Sequence, residues 1–355
     1  MSYNSRIYAQ LTVKSVENLI FLLIVFCFSL RVATADELPK APGQLVSIGA
    51  YRLHIQCLGD GQPTVVLEAG LGGSALEWTR IQAELAPTFR VCSYDRAGMG
   101  WSDPILGART SAQITEELHD LLQAANVPGP YLLVGHSFGG YTAQLFASEY
   151  PDLTAGVVLV DSAHPEQIRR FAEFLHVNIA PKGKLMHLVP VQVAPNIPAE
   201  VRATAEALVL APKTRLAVTR ELEGFRFSAD QVAAAPPITE IPLLVLTRGQ
   251  QKWPDDVLGN RKEALWQQLQ TELATKSAIA GQIIAQRSGH HIHLDQPELV
   301  AQSIRIVAQT VLSSTNNAIR RATMRLALED AATQFSDAAT VALASSKGPW
   351  LAVNH

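Results

Sequence analysis

One short segment restricts the fold of this chain more than any other. Residues 132–143 read LVGHSFGGYTAQ, a run of small apolar residues that leads through a serine into a helical pattern. Gly135, Ser137 and Gly139 form a G-x-S-x-G motif between a predicted strand and a predicted helix. Such a junction, residues 135–139, holds the serine in a sharp turn that we call the elbow, and the glycines let the backbone approach closely. The segment therefore predicts an α/β fold that presents Ser137 as a candidate nucleophile.

Predicted strands and helices alternate along most of the chain. The strand patterns lie at 45–59, where two strands turn at Gly49, and at 63–70, 89–95, 129–137, 155–161, 241–249 and within 281–291. Patterns typical of helices lie at 76–85, 111–126, 138–149, 259–276 and 296–312. This alternation predicts a mostly parallel sheet with helices on both faces.

The alternation stops in one long segment and again near the C-terminus. We interpret residues 163–236 as a helical cap inserted into a core of residues 40–162 and 237–313. The cap is expected over the carboxyl ends of the strands, where open α/β sheets bind ligands. Residues 314–355 form a C-terminal extension without an assigned role. Its apolar positions have the spacing of an amphipathic helix, and they are Met324, Leu328, Ala331, Phe335, Ala338 and Ala342.

The segment 1–35 has the layout of a secretory signal peptide. Arg6 and Lys14 precede an apolar run at 19–30, and the A-x-A sequence ATA follows at 33–35. The run is shorter than the about 20 residues that a transmembrane helix needs. We therefore expect export to the periplasm or the medium, and the alternative is an uncleaved N-terminal membrane anchor.

The chain has three cysteines. Cys27 lies inside the N-terminal apolar run, so cleavage after Ala35 would leave Cys57 and Cys92. An even number of cysteines in an exported chain suggests a disulfide. Two buried free thiols are the alternative.

A serine hydroxyl needs a neighbouring base to take its proton. Among ten histidines, His290 is the best candidate, because it follows a predicted strand and a Ser-Gly turn. His291 and His293 are its rivals in the same segment. His290 and His293 could begin a metal site, but no cysteine or second histidine cluster completes one. We therefore expect no bound metal.

The base in turn needs a carboxylate that orients it. Asp161 directly ends the strand after the elbow helix, and this fixed position favours it. Asp255 and Asp256 are the alternative acids. They follow the strand at 241–249 through the loop QQKWP, which leaves their positions open.

Attack by Ser137 would form a tetrahedral intermediate, whose oxyanion needs two backbone N–H donors. Phe138 directly follows the serine at a helix N-terminus. Leu71 lies in the glycine-rich segment EAGLGGS at 68–74, which follows a buried strand. We predict that these two amides form the oxyanion hole.

Five segments occur in the order that is typical of the α/β-hydrolase superfamily. They read EAGLGG, YDRAGMGWSD, VGHSFGG, VLVDSAHPEQ and SGHHIHLDQPE. Over residues 45–312 the chain resembles the exported or membrane-associated bacterial branch with a helical cap. The resemblance implies a mostly parallel eight-stranded sheet, with Ser137 as nucleophile, His290 as base, and Leu71 and Phe138 as oxyanion donors.

Two positions depart from the pattern of that superfamily. Ala69 and Gly70 stand where members usually have His-Gly before the oxyanion residue. Lys252 stands where the commonest acid lies, three residues after the glycine that ends the seventh strand. Some members carry the acid after the sixth strand instead, and Asp161 matches that place.

The resemblance bears on two further features. The strand order of the superfamily sets the second strand beside the fourth, which puts Cys57 and Cys92 on neighbouring strands and favours the disulfide. The segment YDRAGMGWSD is similar to the structural turn after the fourth strand. We therefore assign Asp95 and Arg96 to the architecture of that loop.

These residues predict a cofactor-free serine hydrolase that acts on a small-molecule ester through an acyl-enzyme on Ser137. A net charge of −3 without a Lys/Arg cluster argues against nucleic-acid binding. An Asp nucleophile would have indicated dehalogenase or epoxide hydrolase chemistry. The alternatives are a C–C bond hydrolase or haloperoxidase-like enzyme with the same triad, and a hydrolase-like protein that binds a ligand with little turnover.

Overall fold

The computed structural model describes residues 39–175, 192–336, 339–343 and 351–353. The predicted signal segment and Cys27 lie outside these residues. The strands are β1 (Gln44–Ser47), β2 (Arg52–Leu58), β3 (Thr64–Glu68), β4 (Val91–Asp95), β5 (Tyr131–His136), β6 (Thr154–Val160), β7 (Leu243–Arg248), β8 (Ala280–Ala285), β9 (Ala339–Leu343) and β10 (Leu351–Val353).

The helices surround this set of strands. They are α1 (Thr79–Leu85), α2 (Ser111–Ala124), α3 (Gly139–Glu149), α4 (Gln167–Leu175), α5 (Ala199–Leu210), α6 (Pro212–Ala234), α7 (Val257–Leu273), α8 (Ile292–Asp295), α9 (Pro297–Ser313) and α10 (Asn317–Gln334). Two short 3-10 helices span Ala75–Trp78 and Pro151–Leu153. Among the described residues, no helix is both long enough and apolar enough to cross a bilayer.

All the strands belong to one sheet, in the order β1-β2-β4-β3-β5-β6-β7-β8-β9-β10. The strands from β4 to β8 in this order run parallel to one another. The strands β1 and β2 at one edge and β9 and β10 at the other pair in antiparallel fashion. The mostly parallel sheet is the predicted one, and β1 to β8 are its eight predicted strands.

The central strands bury both faces, because helices cover the sheet on each side. Along β5, Leu132 and Val134 point into one apolar cluster and Leu133 into another. The first cluster includes side chains of α1, α9 and α10, and the second includes side chains of α2, α3 and α7. Continuous apolar strands of this kind are typical of parallel sheets that are covered on both faces.

Helices α4, α5 and α6 lie in the segment that the sequence indicates as a cap, and α6 reaches the loops at the carboxyl edge of the sheet. Ala217 and Val218 of α6 are buried against Met99 and pack on Leu71. The same helix packs against α2 and α3. It therefore joins the loops after β3 and β4 to the body of the core.

The C-terminal extension differs from its prediction. The helical spacing continues to Ala342, but α10 ends at Gln334 and residues 339–343 form β9, which pairs with β8 from Ala285↔Ala339 to Gly281↔Leu343. Ala338 lies outside the described residues. Thr340 and Val341 are β-branched and favour extended backbone. The edge of β8 offers unpaired backbone groups, and β9 satisfies them.

The predicted disulfide is confirmed. Cys57 of β2 lies opposite Cys92 of β4 in the antiparallel register, and the two are bonded. The bond ties the antiparallel edge of the sheet to its parallel part. Free thiols at these positions were the alternative, and this alternative is wrong.

Candidate active site

Ser137 stands at the turn between β5 and α3. Its backbone has a φ of +49°, a left-handed conformation that costs free energy for a residue with a Cβ. The neighbouring strand holds the turn, because the amide of Ser137 donates to the carbonyl of Val160 at 3.1 Å and the amide of Ala163 donates to the carbonyl of Ser137 at 2.9 Å. A Cβ at Gly135 would lie 2.6 Å from the carbonyl oxygen of Gly139. The glycine of the motif is thus required by the close approach of β5 and α3.

His290 lies in the loop between β8 and α8, residues 286–291, which we call the histidine loop. Its Nε2 is 2.9 Å from Ser137 Oγ, and its Nδ1 is 2.6 Å from Asp161 Oδ2. Because the carboxylate can only accept, Nδ1 carries the proton and Nε2 has a lone pair toward the hydroxyl. His136 Nε2 donates to the carbonyl of His290 at 3.0 Å, which ties the histidine loop to the elbow.

Asp161 follows β6 directly and is fully buried. Its carboxylate accepts hydrogen bonds from the backbone amide of Arg248 (3.2 Å), from Arg248 Nη1 (2.9 Å) and from Trp266 Nε1 (2.8 Å). Burial alone would raise the pKa of Asp161, but the hydrogen bond and charge of His290, the charge of Arg248 and the hydrogen bond from Trp266 lower it below its usual range. The carboxyl group is therefore ionised at neutral pH.

The rival residues of the sequence analysis lie elsewhere. Asp256 caps α7, where its side chain accepts from the amide of Gly259 at 2.7 Å. Asp255 accepts from Asn260 at 3.1 Å, and both carboxylates are exposed. The structure therefore brings Asp161, and neither of these two, to His290. His291 and His293 pack their rings beside His136.

The loop after β3, residues 69–74, passes over the elbow, and we call it the oxyanion loop. A Cβ at Gly70 would lie 2.7 Å from His136 Nδ1 and 3.4 Å from Ser137 Cβ. Within the described part of the chain, the amides of Leu71 and Phe138 donate to no other backbone group. Neither amide is therefore taken up by a backbone carbonyl, which the predicted oxyanion hole requires.

A buried arginine orders the oxyanion loop. Arg96 donates to the carbonyl of Ala69 and to that of Gly70, each at 2.7 Å. The same guanidinium donates to Glu221 Oε1 of α6 at 2.6 Å and to Glu68 at 2.5 Å. Burial alone would lower the pKa of Arg96, but the charges of the two glutamates raise it above its usual value. In this chain Ala69 and Gly70 replace the usual His-Gly pair, and the hydrogen bonds of Arg96 hold the loop in place.

Asp95 has the architectural place that the resemblance implies. It accepts from the amide of Ala75 at 2.8 Å, from the amide of Trp101 at 3.1 Å and from His54 Nδ1 at 2.8 Å. Ala75 begins the 3-10 helix after the oxyanion loop. Asp95 therefore fixes the far end of that loop and has no contact with Ser137 among the described hydrogen bonds.

Sequence reasoning missed the groups that hold the acid and the loop. Arg248 is the charged residue at the end of the buried strand LLVLTR, next to Gly249, and this signal could have identified it. Trp266 and Glu221 lie in helices whose patterns give no sign of a role at the site. The missed residues also include Glu77 and His136, which each place a donor atom within 4.8 Å of one on His293.

A family model described as alpha/beta hydrolase fold matches residues 63–316. The Bacillus subtilis (strain 168) protein YqjL is 29% identical over 246 residues, which is 69% of this chain and 83% of the relative. A structure described as a candidate lipase (lip1) of Acinetobacter baumannii AYE is 23% identical, covers 80% of this chain and 96% of its own, and has a TM-score of 0.57.

A thermophilic esterase of Thermogutta terrifontis is 24% identical, and the alignment covers 75% of this chain and 97% of that chain with a TM-score of 0.50. At such identities, the similarity to both solved structures concerns the fold.

Proposed function

The chain belongs to the α/β-hydrolase fold family, and from this premise we propose that it is a serine hydrolase that cleaves carboxylic esters of small molecules. One observation carries the proposal, the unbroken hydrogen-bonded series from Ser137 through His290 to Asp161, with separations of 2.9 and 2.6 Å. A serine in this arrangement loses its proton to a histidine that a carboxylate orients. Serine as the nucleophile argues against dehalogenase and epoxide hydrolase chemistry.

The reaction would proceed in two half-reactions. Ser137 Oγ attacks the ester carbonyl while His290 Nε2 takes the hydroxyl proton, and the amides of Leu71 and Phe138 stabilise the oxyanion. His290 then gives the proton to the leaving alcohol, and the acyl group stays on Ser137. A water molecule, activated by His290, releases the carboxylic acid and restores the serine. Asp161 stabilises the imidazolium in both half-reactions.

Apolar side chains beside the elbow favour an apolar group on the substrate. Phe138 is buried in a cluster on which the partly buried Leu71, Ile168 and Phe225 pack. The ring of Phe225 stacks on that of Phe138 with the centroids 5.6 Å apart. Ligand pockets are lined mainly by such side chains, with a few polar groups for orientation. We therefore propose that the acyl group lies against the partly buried Leu71, Ile168 and Phe225, and we expect turnover to increase with acyl length.

A series of p-nitrophenyl esters of increasing acyl length tests the activity. Wild-type protein is expected to hydrolyse at least one of them, and Ser137→Ala is expected to lose the activity. Ser148→Ala, in helix α3 and away from the turn that holds Ser137, is the matched control and should retain the activity. Turnover that survives in Ser137→Ala would remove the nucleophile assignment. Ser137 that reacts with a fluorophosphonate without any ester turnover would favour the C–C bond hydrolase alternative.

We further propose that the protein works outside the cytoplasm. The layout of segment 1–35 and the Cys57–Cys92 disulfide support this, because disulfides persist mainly in oxidising compartments. Cell fractionation with N-terminal sequencing tests it. A mature N-terminus at Asp36 in the exported fraction supports cleavage, and an intact N-terminus in the membrane fraction indicates an anchor. A cytoplasmic protein with free thiols would contradict the proposal.

A further inference from the structure

Three side chains converge behind the nucleophile elbow. Glu77 lies in the 3-10 helix after the oxyanion loop, His136 lies in the elbow, and His293 lies in α8. One donor atom from each lies within 4.8 Å of the other two. The cluster therefore joins the three segments that carry the oxyanion donor, the nucleophile and the base.

Both histidines are buried and have ring nitrogens without a hydrogen-bond partner among the described residues. His136 is 2% exposed and His293 is 1% exposed. Among the described residues, His136 Nδ1 and both ring nitrogens of His293 have no hydrogen-bond partner. Buried polar side-chain atoms are almost always partnered. One nitrogen from each histidine lies near the Glu77 carboxylate, and this arrangement indicates a ligand.

The geometry fits a metal ion better than a direct hydrogen bond. His293 Nε2 lies 3.5 Å from Glu77 Oε2, beyond the about 2.7–3.2 Å of a normal hydrogen bond. Two ligands of a tetrahedral zinc ion, each bonded at about 2.0–2.2 Å, are separated by about 3.4 Å. The observed separation therefore matches one edge of a zinc coordination tetrahedron.

The surroundings hold both imidazoles in place for coordination. Because His136 Nε2 donates to the carbonyl of His290, its Nδ1 keeps a free lone pair, and ligand histidines usually have such a carbonyl partner. The ring of His293 lies between Trp78 and His136, with centroid separations of 4.6 and 4.3 Å. Both rings are thus fixed without help from an ion.

We propose that Glu77, His136 and His293 bind a zinc-type divalent ion, with water as the fourth ligand. Two imidazoles and one carboxylate suit zinc and disfavour magnesium or calcium, which prefer oxygen ligands. The sequence paired His293 with His290 and so gave an expectation of no metal. The fold pairs it with His136 instead. The bound ion cross-links the 3-10 helix that follows the oxyanion loop, the elbow, and helix α8 that follows the histidine loop.

The ion has a route to the site. The Glu77 side chain is 13% exposed, and it lines a small cleft of about 20 Å³ together with Gly72 and Ser74. An ion can therefore reach the carboxylate of Glu77 from this cleft.

Zinc titration of chelator-stripped protein, in competition with a chromophoric chelator, tests the site. We expect one zinc per chain and a zinc-dependent rise in Tm. Glu77→Gln and His293→Gln should each weaken zinc affinity at least about tenfold and abolish the rise in Tm. His291→Gln, next to the cluster, and His119→Gln, on α2, are matched controls that should bind zinc like wild type. Ser137→Ala should also bind zinc unchanged, which separates this result from the hydrolase test.

Two results would overturn the site. The first is a folded wild-type protein that takes up no zinc, and the second is a zinc affinity that is unchanged in both ligand variants. Circular dichroism checks the folding of each variant. If His293→Gln does not fold, the partly exposed Glu77 decides the outcome through Glu77→Gln.

Discussion

At the residue scale, the buried carboxylate of Asp161 shows how distant segments of the chain build the site. Its donors come from β7, α7 and the histidine loop. The sequence could place Asp161 itself, because it ends a strand at the edge where the elbow lies. Its partners could not be found in the same way, because Arg248 and Trp266 follow it by 87 and 105 residues and only the fold brings them back.

Asp161→Asn is expected to lower kcat about 10³–10⁴-fold, because the amide cannot hold His290 in the tautomer that accepts the serine proton. Ester turnover at saturating substrate measures the effect. Asp256→Asn is the matched control and should keep both kcat and stability, because Asn caps a helix about as well as Asp. Activity that is lost only in an Asp255/Asp256 double variant would show that the acid is assigned wrongly.

At the element scale, helix α6, which lies in the segment that the sequence indicates as a cap, contacts the oxyanion loop. Glu221 accepts from Arg96 and, at 3.3 Å, from the amide of Gly72. Composition and spacing predict helices in this region, but they give no sign of which helical residue reaches the core. A buried glutamate on a helix becomes informative only when its partner, 125 residues earlier in the chain, is known.

Glu221→Gln is expected to lower kcat about tenfold and to change KM less, because the oxyanion loop loses a charged support. The loss of a whole oxyanion donor, about 10²–10³-fold, sets the upper limit. Steady-state kinetics measure the two constants. Glu223→Gln, two residues along the same helix and exposed, should behave like wild type. Equal kinetics for both variants would mean that the cap does not support the loop.

Helix α10 is a second element with an assignable role. Leu328 is fully buried, whereas Leu326 is 57% exposed. Leu328→Ala is therefore expected to cost about 2–5 kcal/mol of unfolding free energy, and Leu326→Ala should change it by less than about 0.5 kcal/mol. Urea unfolding measures both. Similar values for the two variants would show that the extension does not belong to the cooperative core.

The same extension shows why an element's end is harder to predict than its existence. The apolar spacing around Met324 and Leu328 correctly indicates a helix. Beyond Gln334 the apolar spacing still favours a helix, but residues 339–343 form a strand because they pair with the edge of β8. No local pattern contains this long-range partner, so the prediction runs too far.

At the scale of the whole molecule, the disulfide fastens the antiparallel edge to the rest of the sheet. It closes a loop between positions 35 apart, for which the chain-entropy model gives about 3–4 kcal/mol. The Cys57→Ser/Cys92→Ser double variant should be less stable by this amount in thermal or urea unfolding. Reductant should destabilise wild type to the same extent and leave the variant unchanged. A wild type that is insensitive to reductant, with free thiols in its mass spectrum, would contradict this.

The overall architecture was accessible from the sequence because strand and helix patterns alternate along most of residues 63–313, with one long break at 163–236. The elbow was accessible as well, because Gly135, Ser137 and Gly139 have to be adjacent in sequence for the turn to form. Most supports of the site were not, since Arg248, Trp266 and Glu221 are far along the chain from the groups they contact, and only the fold brings them together.

The central claim is that Ser137 is an activated nucleophile, and phosphonylation tests it most directly. Protein is treated with a fluorophosphonate, and its intact mass and peptide map are measured beside Ser137→Ala. One adduct per chain on the peptide that contains Ser137, and none in Ser137→Ala, is the predicted result. An unmodified wild-type protein, or an adduct on another residue, would contradict the claim.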